Sequence, residues 1–370
     1  MKIAILREQT EGERRVAATP DAVKKYISLG AAVSVESNAG SNISVADSDY
    51  EAVGASISSN ISDADIVLSV RSPSAKTLDI LKENAMLVGM LDPYGESEKT
   101  AIYNQQKISA FSLELLPRIS RAQSMDVLSS QSNLAGYRAV IDAVATLGKA
   151  VPMMMTAAGT VAPAKALILG AGVAGLQAIA TAKRLGAIVS AFDVRPVAKE
   201  QVESLGAKFI EVAAEESGEG SGGYAKEMSE DYKRKQSELI AETIIKQDIV
   251  ISTALIPGRP APVLITEEMV KNMKQGSVIV DLAAASGGNC PLTELDKTVV
   301  KYGVMLIGYG NMPSRVAIDA SQLYARNLYN FISTLLIEKN AINVKWDDEL
   351  VKGTLLTHNG EAVHPMFVNK

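Results

Sequence analysis

The chain has few of the side chains that most often act as acids, bases or nucleophiles. Its 370 residues include two histidines, one cysteine and one tryptophan, and aromatic residues make up 5%. Cys290 has no second cysteine to pair with, so no disulfide forms within the chain, which indicates a reducing compartment. His358 and His364 lie in the tail of the sequence, where histidines are more often solvated or structural than catalytic. The composition therefore argues against chemistry that needs an imidazole or a thiol.

Charge and hydropathy exclude further classes of protein. The net charge of −5 gives no reason to expect nucleic acid or an anionic membrane surface as a partner. The uncharged stretch over residues 166–182 contains three glycines and is explained as strand, turn and helix, so we expect no transmembrane segment and no signal peptide. A length of 370 residues is enough for two domains.

The most informative motif is the glycine-rich run Gly170-Ala171-Gly172-Val173-Ala174-Gly175. It follows an apolar strand at 166–169 and precedes a helical pattern, and a second strand at 188–192 ends in Asp193. This is the dinucleotide-binding fingerprint, in which the glycines permit a tight turn, close approach to a pyrophosphate and close helix–strand packing. The helix N-terminus then faces the phosphates. A carboxylate at Asp193 would accept ribose hydroxyls and repel a 2′-phosphate, which favours NAD(H) over NADP(H).

Alternating strand and helix patterns run through the first part of the chain and predict a doubly wound α/β domain. Strands are expected at 2–6, 32–36, 65–70, 85–90 and 108–113, and helices at 20–29, 76–82 and 97–105. The loop after the first strand lacks glycines in cradle positions and carries Glu8, Glu11 and Glu13. We therefore expect one dinucleotide site in the chain, not two.

The second part repeats the α/β pattern around the fingerprint. A buried helix face at 134–147 leads to strands at 166–169, 188–192, 208–212, 248–254, 277–282 and 304–308, then a helix from 317 to about 338. Short strands at 342–346 and 353–357 are expected to pack back on the first domain. The predicted architecture is two Rossmann-like doubly wound parallel-sheet domains, 1–128 completed by 335–370 and 129–334, joined by long helices with a cleft between them.

A polar segment at 118–138 follows the last strand of the first domain. Ser120 and Gln123 have the spacing of a capping box, and Gln123, Asp126 and Ser129 recur at every third position, as on one helical face. An amide, a carboxylate and a hydroxyl suit a nicotinamide carboxamide and ribose, and Arg118 suits a pyrophosphate. On spacing alone, a capped surface helix is the preferred interpretation.

A linker at 215–226 is rich in glycine and glutamate, which predicts mobility. It is either a plain surface loop or a lid that closes over a bound nucleotide, with Tyr224 as its aromatic latch. Composition alone does not favour one of these over the other.

The segments 118–137, 153–160 and 253–262 closely resemble the NAD(H)-binding component of proton-translocating nicotinamide nucleotide transhydrogenase. The resemblance covers essentially the whole chain. It implies a homodimeric, cytoplasmic component, peripheral on the inner face of the cell membrane. Such a component docks on a membrane proton channel and exchanges hydride with a partner that binds NADP(H). No metal and no nucleic acid are implied.

The resemblance also implies roles for individual residues. Gln123 matches a glutamine that holds the nicotinamide ribose, and the other matching positions fall in three groups along the bound nucleotide. They are Arg118, Asp126 and Ser129 around the nicotinamide and pyrophosphate; Gly170, Gly172, Val173, Ala174, Gly175, Asp193 and Arg195 at the adenosine and pyrophosphate; and Gly223, Tyr224, Gln236 and Leu255 on the mobile loop and along the cleft.

Two alternatives remain at this point. The chain also resembles alanine dehydrogenases, which share an opening like that at 14–20 but use a lysine and a histidine where this chain has Arg71 and Met90. The missing proton donor argues against amino-acid oxidation. A non-catalytic NAD sensor is the third class, and hydride exchange with an NADP-binding partner would separate it from an enzyme.

Overall fold

A computed structural model describes residues 1–95, 97–212, 218 and 228–368. The chain divides into two compact units. Unit 1 comprises Met1–Gln131 and Ser314–Lys370, and unit 2 comprises Ser132–Pro313. Unit 1 is therefore discontinuous in sequence, with unit 2 inserted between its two segments.

The N-terminal segment of unit 1 alternates strands and helices, as the hydrophobic pattern predicts. The elements are β1 (Lys2–Ile5), α1 (Pro20–Ser28), β2 (Ala32–Val35), α2 (Asp47–Glu51), β3 (Ser56–Ile57), β4 (Ile66–Arg71), α3 (Ala75–Asp79), β5 (Met86–Met90), α4 (Ser97–Gln105) and β6 (Ser109–Ser112). β1 pairs in parallel with both β2 and β4, so the strand order reverses at β1. This segment is a doubly wound parallel sheet.

The next elements carry the chain through unit 2. They are α5 (Val127–Thr146), β7 (Met154–Thr156), β8 (Gly159–Val161), β9 (Lys165–Leu169), α6 (Val173–Arg184), β10 (Ile188–Phe192), α7 (Ala198–Ser204), β11 (Lys208–Ile210), α8 (Glu230–Ile244), β12 (Ile249–Ser252), α9 (Glu267–Lys271), β13 (Val278–Asp281), β14 (Thr298–Lys301) and β15 (Val304–Ile307). In the described part of the chain the main sheet has the order β11-β10-β9-β12-β13-β15-β14. Its pairs are parallel except for β14 with β15.

The last segment returns to unit 1. It contains α10 (Ala317–Leu335), β16 (Ile337–Glu338), β17 (Ala341–Ile342), α11 (Glu349–Thr354), β18 (Leu355–His358), β19 (Glu361–Ala362) and α12 (Pro365–Val368). β18 pairs antiparallel with β6 and extends the first sheet to the order β19-β18-β6-β5-β4-β1-β2-β3 over the described residues. The tail of the sequence thus supplies the edge of the sheet that the N-terminal strands begin.

Both sheets are covered on both faces, which explains their continuous apolar strands. In β1, Ile3 and Ile5 enter one hydrophobic cluster, and their neighbour Ala4 enters another. In β9, Ala166 and Ile168 face one cluster, whereas the alternate positions face a second. The α/β class expected from the sequence is confirmed.

The sequence patterns were wrong at the C-terminal end. The strand expected at 342–346 is reduced to β17, which forms a two-stranded antiparallel ribbon with β16. The strand expected at 353–357 begins two residues later, because Gly353 lies in α11. Throughout the parts of the chain that the structure describes, no helix combines the length and apolar character needed to cross a membrane.

Candidate nucleotide-binding site

The glycine-rich turn lies where the strand order of unit 2 reverses, between β9 and β12. Gly170 follows β9 with a φ of +98°, in the left-handed region that favours glycine. Its N–H donates to the carbonyl of Phe192 over 2.8 Å, and its carbonyl accepts from the Thr253 hydroxyl over 3.1 Å. The carboxyl ends of β9, β10 and β12 are thereby tied together. In open parallel sheets, ligands bind at this kind of position.

The other two glycines meet different steric needs. A Cβ built on Gly175 would stand 1.9 Å from the carbonyl oxygen of Gly170, so α6 packs on the turn only because residue 175 is glycine. At Gly172, the N-cap of α6, the nearest atom to a built Cβ is a guanidinium nitrogen of Arg195 at 4.0 Å. The space in front of Gly172 is open, and the first-turn N–H groups of α6 can reach an anion there.

The N-terminal end of α6 also packs against α5. Gly136 of α5 is buried, and a Cβ built on it would meet the carbonyl oxygen of Ala174 at 2.0 Å. Val173, beside Ala174, has an exposed side chain. Sequence reasoning did not single out Gly136, although a glycine inside a helix is itself a signal of close packing.

Asp193 follows β10, as the fingerprint requires, and it is almost fully buried. One carboxylate oxygen accepts from the Ala171 N–H over 2.7 Å and from an Nη of Arg195 over 2.7 Å. The other accepts from the backbone N–H and the Nε of Arg195, over 2.9 and 2.8 Å. The carboxylate therefore holds the fingerprint turn and the Arg195 side chain together.

The loop after β12 is held by an asparagine that sequence reasoning missed. The buried Asn289 amide accepts from the Ala254 N–H over 3.1 Å and donates to the carbonyls of Ala254 and Pro262 over 2.9 and 2.8 Å. These bonds close the excursion that carries Leu255, whose side chain is 44% exposed. The position of Leu255 after β12 places it at the same sheet edge as the fingerprint turn.

The remaining predicted residues of unit 2 have separate settings. Gln236 lies on the buried face of α8, in register with Tyr232 and Ile240. Gly223 and Tyr224 lie outside the described residues, as does nearly all of the linker at 215–226.

The polar segment of unit 1 does not form one continuous helix. A 3₁₀ helix spans Ser120–Met125 with Ile119 as its N-cap, so the expected capping box of Ser120 and Gln123 is wrong. The cap belongs instead to Asp126, whose carboxylate accepts from the N–H of Ser129 over 2.9 Å and from its hydroxyl. Gln123 and Arg118 are exposed, and Asp126 and Ser129 are half-buried.

A buried ion-pair network supports this segment from below. Arg15 donates to both carboxylate oxygens of Glu13, over 2.7 and 2.6 Å, and to the Gln131 side chain of α5 over 2.8 Å. Burial alone would raise the pKa of Glu13, but the hydrogen bonds and charge of Arg15, with the charge of Arg71, bring it down to about 2. The Arg71 Nε lies 3.2 Å from Glu13. Arg71 is thus part of a fixed ionic cluster.

The other groups that an amino-acid dehydrogenase would need are also accounted for. Met90 is buried at the end of β5. His358 stacks on Trp346 with ring centroids 4.1 Å apart and shares a hydrogen bond with the Ser109 hydroxyl over 2.9 Å. His364 contacts the Gly353 carbonyl over 3.2 Å. Burial lowers the pKa of both histidines. Both imidazoles therefore make structural contacts.

Comparison with known protein families accounts for nearly the whole chain. Residues 4–135 match the N-terminal domain and residues 139–365 the C-terminal domain of the family described as alanine dehydrogenase/PNT. The chain belongs to this family.

Individual relatives distinguish the two branches of the family. The chain is 54% identical to the first of the polypeptides that make up the NAD(P) transhydrogenase alpha subunit of Rhodospirillum rubrum, over 100% of both sequences. It is 48% identical to a transhydrogenase from Sinorhizobium meliloti whose crystal structure superposes with a TM-score of 0.88, over 99% of this chain and 100% of that one. "Alanine dehydrogenase 2" of Staphylococcus aureus is 32% identical, over 85% of this chain and 82% of the relative. The similarity to transhydrogenases is therefore much the stronger.

Proposed function

We propose that this chain is the NAD(H)-binding subunit of a proton-translocating NAD(P) transhydrogenase. In this role it passes hydride between NAD(H) and NADP(H) bound by a partner subunit. The single observation that carries the proposal is a well-formed fingerprint turn in a chain 54% identical, over its full length, to a transhydrogenase alpha-subunit polypeptide. Alanine dehydrogenase, the alternative, is the more distant relative.

The residues of unit 2 fit a dinucleotide. The open space before Gly172 and the first turn of α6 suit the pyrophosphate, and Asp193 at the end of β10 suits the adenosine ribose. Arg195, Gln236 and Leu255 would make further contacts along the nucleotide. Gly223 and Tyr224 are proposed to close over it.

The residues of unit 1 fit the nicotinamide end. Exposed Gln123 and Arg118, with half-buried Asp126 and Ser129, present an amide, a guanidinium, a carboxylate and a hydroxyl on one short segment. When bound, the nicotinamide supplies the hydride. The protein's role is to hold the ring still, because rate depends steeply on the geometry of the reacting atoms.

A proton donor is not required for this reaction, and the chain fits that requirement. Hydride exchange between two nicotinamide rings moves no proton to or from a substrate, whereas oxidation of an amino acid does. Arg71 is paired with Glu13, and position 90 is a methionine. These side chains support transhydrogenation over alanine oxidation.

We also propose a homodimer and association with a membrane component. The β7–β8 ribbon exposes three methionines in a row, with exposed fractions of 60% at Met153, 43% at Met154 and 80% at Met155. Exposed, adaptable apolar side chains of this kind favour a protein interface. Association with a proton channel would place the subunit on the inner face of the cell membrane, in the cytoplasm.

The deciding experiment is reconstitution. The chain is mixed with an NADP-binding transhydrogenase component, and hydride transfer from NADH to an NADP analogue is followed spectrophotometrically. Transfer is expected only when both proteins are present. Turnover with alanine, or with pyruvate and ammonia, by the chain alone would contradict the proposal. NADH binding without transfer to any partner would favour the sensor.

A further inference from the structure

The carboxylate of Asp193 has no acceptor position left for a ligand. A carboxylate offers about four lone-pair sites. Within the described residues all four are used, two by the Arg195 side chain and two by the backbone N–H groups of Ala171 and Arg195. A ribose hydroxyl can donate to Asp193 only by displacing one of these donors. The backbone donors are fixed by the turn, so the displaced group is the Arg195 guanidinium.

The guanidinium already lies in the nucleotide site. Its Nη2 atom is the nearest neighbour of a Cβ built on Gly172, at 4.0 Å, so it lies beside the N-cap of α6. The side chains of the pair are 17% exposed at Arg195 and 6% at Asp193. An arginine fork at this place matches a phosphate in charge and in bidentate geometry.

We propose that the Asp193–Arg195 pair, and not Asp193 alone, sets the choice of cofactor, and that Arg195 is a latent acceptor for a 2′-phosphate. The inference rests on the proposed function. A 2′-hydroxyl exchanges with one guanidinium N–H on the carboxylate, so little is lost. A 2′-phosphate has no proton to donate, is repelled by Asp193, and must compete with that carboxylate for the same guanidinium. Removal of the carboxylate charge frees the guanidinium for the phosphate.

The test compares two adenosine ligands that differ at the 2′ position. Binding of 5′-AMP and of 2′,5′-ADP is measured by calorimetry for the wild type, D193N, D193N/R195M and D193N/K199M. Lys199 is the matched control, because it is an exposed cation of α7 that pairs with Glu211. The wild type is expected to prefer 5′-AMP. In D193N the preference should move toward 2′,5′-ADP by roughly tenfold or more, the effect of a freed charge-assisted hydrogen bond.

The double variants decide between Arg195 and general electrostatics. The gain should disappear in D193N/R195M and persist in D193N/K199M. An unchanged preference in D193N, or a gain that survives R195M, overturns the inference. Should D193N not fold, the single variant R195M replaces it. That variant leaves Asp193 without its counter-ion and should discriminate against 2′,5′-ADP more strongly than the wild type, and equal discrimination overturns the inference. A wild type that binds neither ligand nor NADH refutes the nucleotide site itself, whereas binding without the shift refutes only the role of Arg195.

Discussion

Gly136 of α5 lies so close to Ala174 of α6 that a Cβ on Gly136 would be 2.0 Å from the Ala174 carbonyl oxygen. Ala174 belongs to the first turn of the helix that faces the nucleotide. The contact therefore couples the packing of α5 to the position of the phosphate-binding N–H groups.

Replacing Gly136 by alanine should disturb both stability and nucleotide binding. The added methyl group forces the helices apart, and overpacking of this kind costs about 1–3 kcal/mol. Urea unfolding and NADH titration measure the two effects. Gly148→Ala is the control, because a Cβ there meets nothing within 4 Å. Wild-type NADH affinity in the Gly136 variant would show that α6 tolerates the shift.

Asp126 offers a way to separate capping from catalysis. Asp126→Ala removes the cap of α5 and should cost about 1 kcal/mol of stability. Asp126→Asn keeps an acceptor for the Ser129 N–H, so stability should stay near that of the wild type, while hydride transfer in the reconstituted complex should fall. Thr266→Ala, which removes the cap of α9, should lower stability only. Full transfer in Asp126→Asn would reduce Asp126 to a helix cap.

Gln123 is expected to act on the reaction far more than on binding. Shortening it to asparagine should leave the dissociation constant of NADH within a few-fold, because the contacts in unit 2 remain. Hydride transfer should fall about a hundredfold, since small displacement of reacting groups is costly. Gln105→Asn, at an exposed position of α4, is the matched control. Equal loss of binding and transfer would contradict a positioning role.

Glu8 should make unit 1 less stable at alkaline pH. Burial raises the pKa of its carboxyl to about 7, although the N–H groups of Val70 and Arg71 donate to it over 2.5 and 3.2 Å. Because the pKa is raised above its ordinary value of 4.5, the contribution to stability is present below that pH and is lost as the pH rises through 7.

The variant Glu8→Gln mimics the protonated acid and should escape this loss. Between about pH 5 and 8.5 the wild type should lose about 2–3 kcal/mol relative to Glu8→Gln, as the size of the pKa shift requires. Urea unfolding across this range checks the difference. Glu11→Gln, at an exposed position of the same loop, should follow the wild type. Parallel profiles for wild type and Glu8→Gln would contradict the prediction.

Sequence patterns predicted the regions of the fold in which burial and local signals agree. The strand at 188–192 and the helix at 97–105 were predicted with the observed bounds, because apolar runs and turn residues delimit them. The edge strand β14 was missed, since its residues alternate between exposed and half-buried and carry no apolar run. Trp346 suggested a strand, but its ring packs on Phe111 and His358 from an irregular segment. Long-range packing of this kind has no local signature.

The site was predictable to the extent that its chemistry is local. The fingerprint glycines act through backbone geometry within a few residues, so the motif alone indicated the turn. Ser120 and Asp126 are both acceptable cap residues, and the choice between them depends on the 3₁₀ helix over Ser120–Met125. Asn289 joins segments far apart in sequence, and no spacing rule marks it.

The pairing of β18 with β6 has a consequence for the order in which the protein is made. Residues 112 and 355 lie on either side of the whole of unit 2 in sequence. On the ribosome, the strands of unit 1 therefore emerge first, and their sheet keeps β6 as an open edge until unit 2 has been synthesised in full. Open strand edges invite pairing with other chains. The nascent chain is thus most vulnerable to aggregation in its oldest segment, and a stop codon before residue 355 would damage the N-terminal unit first.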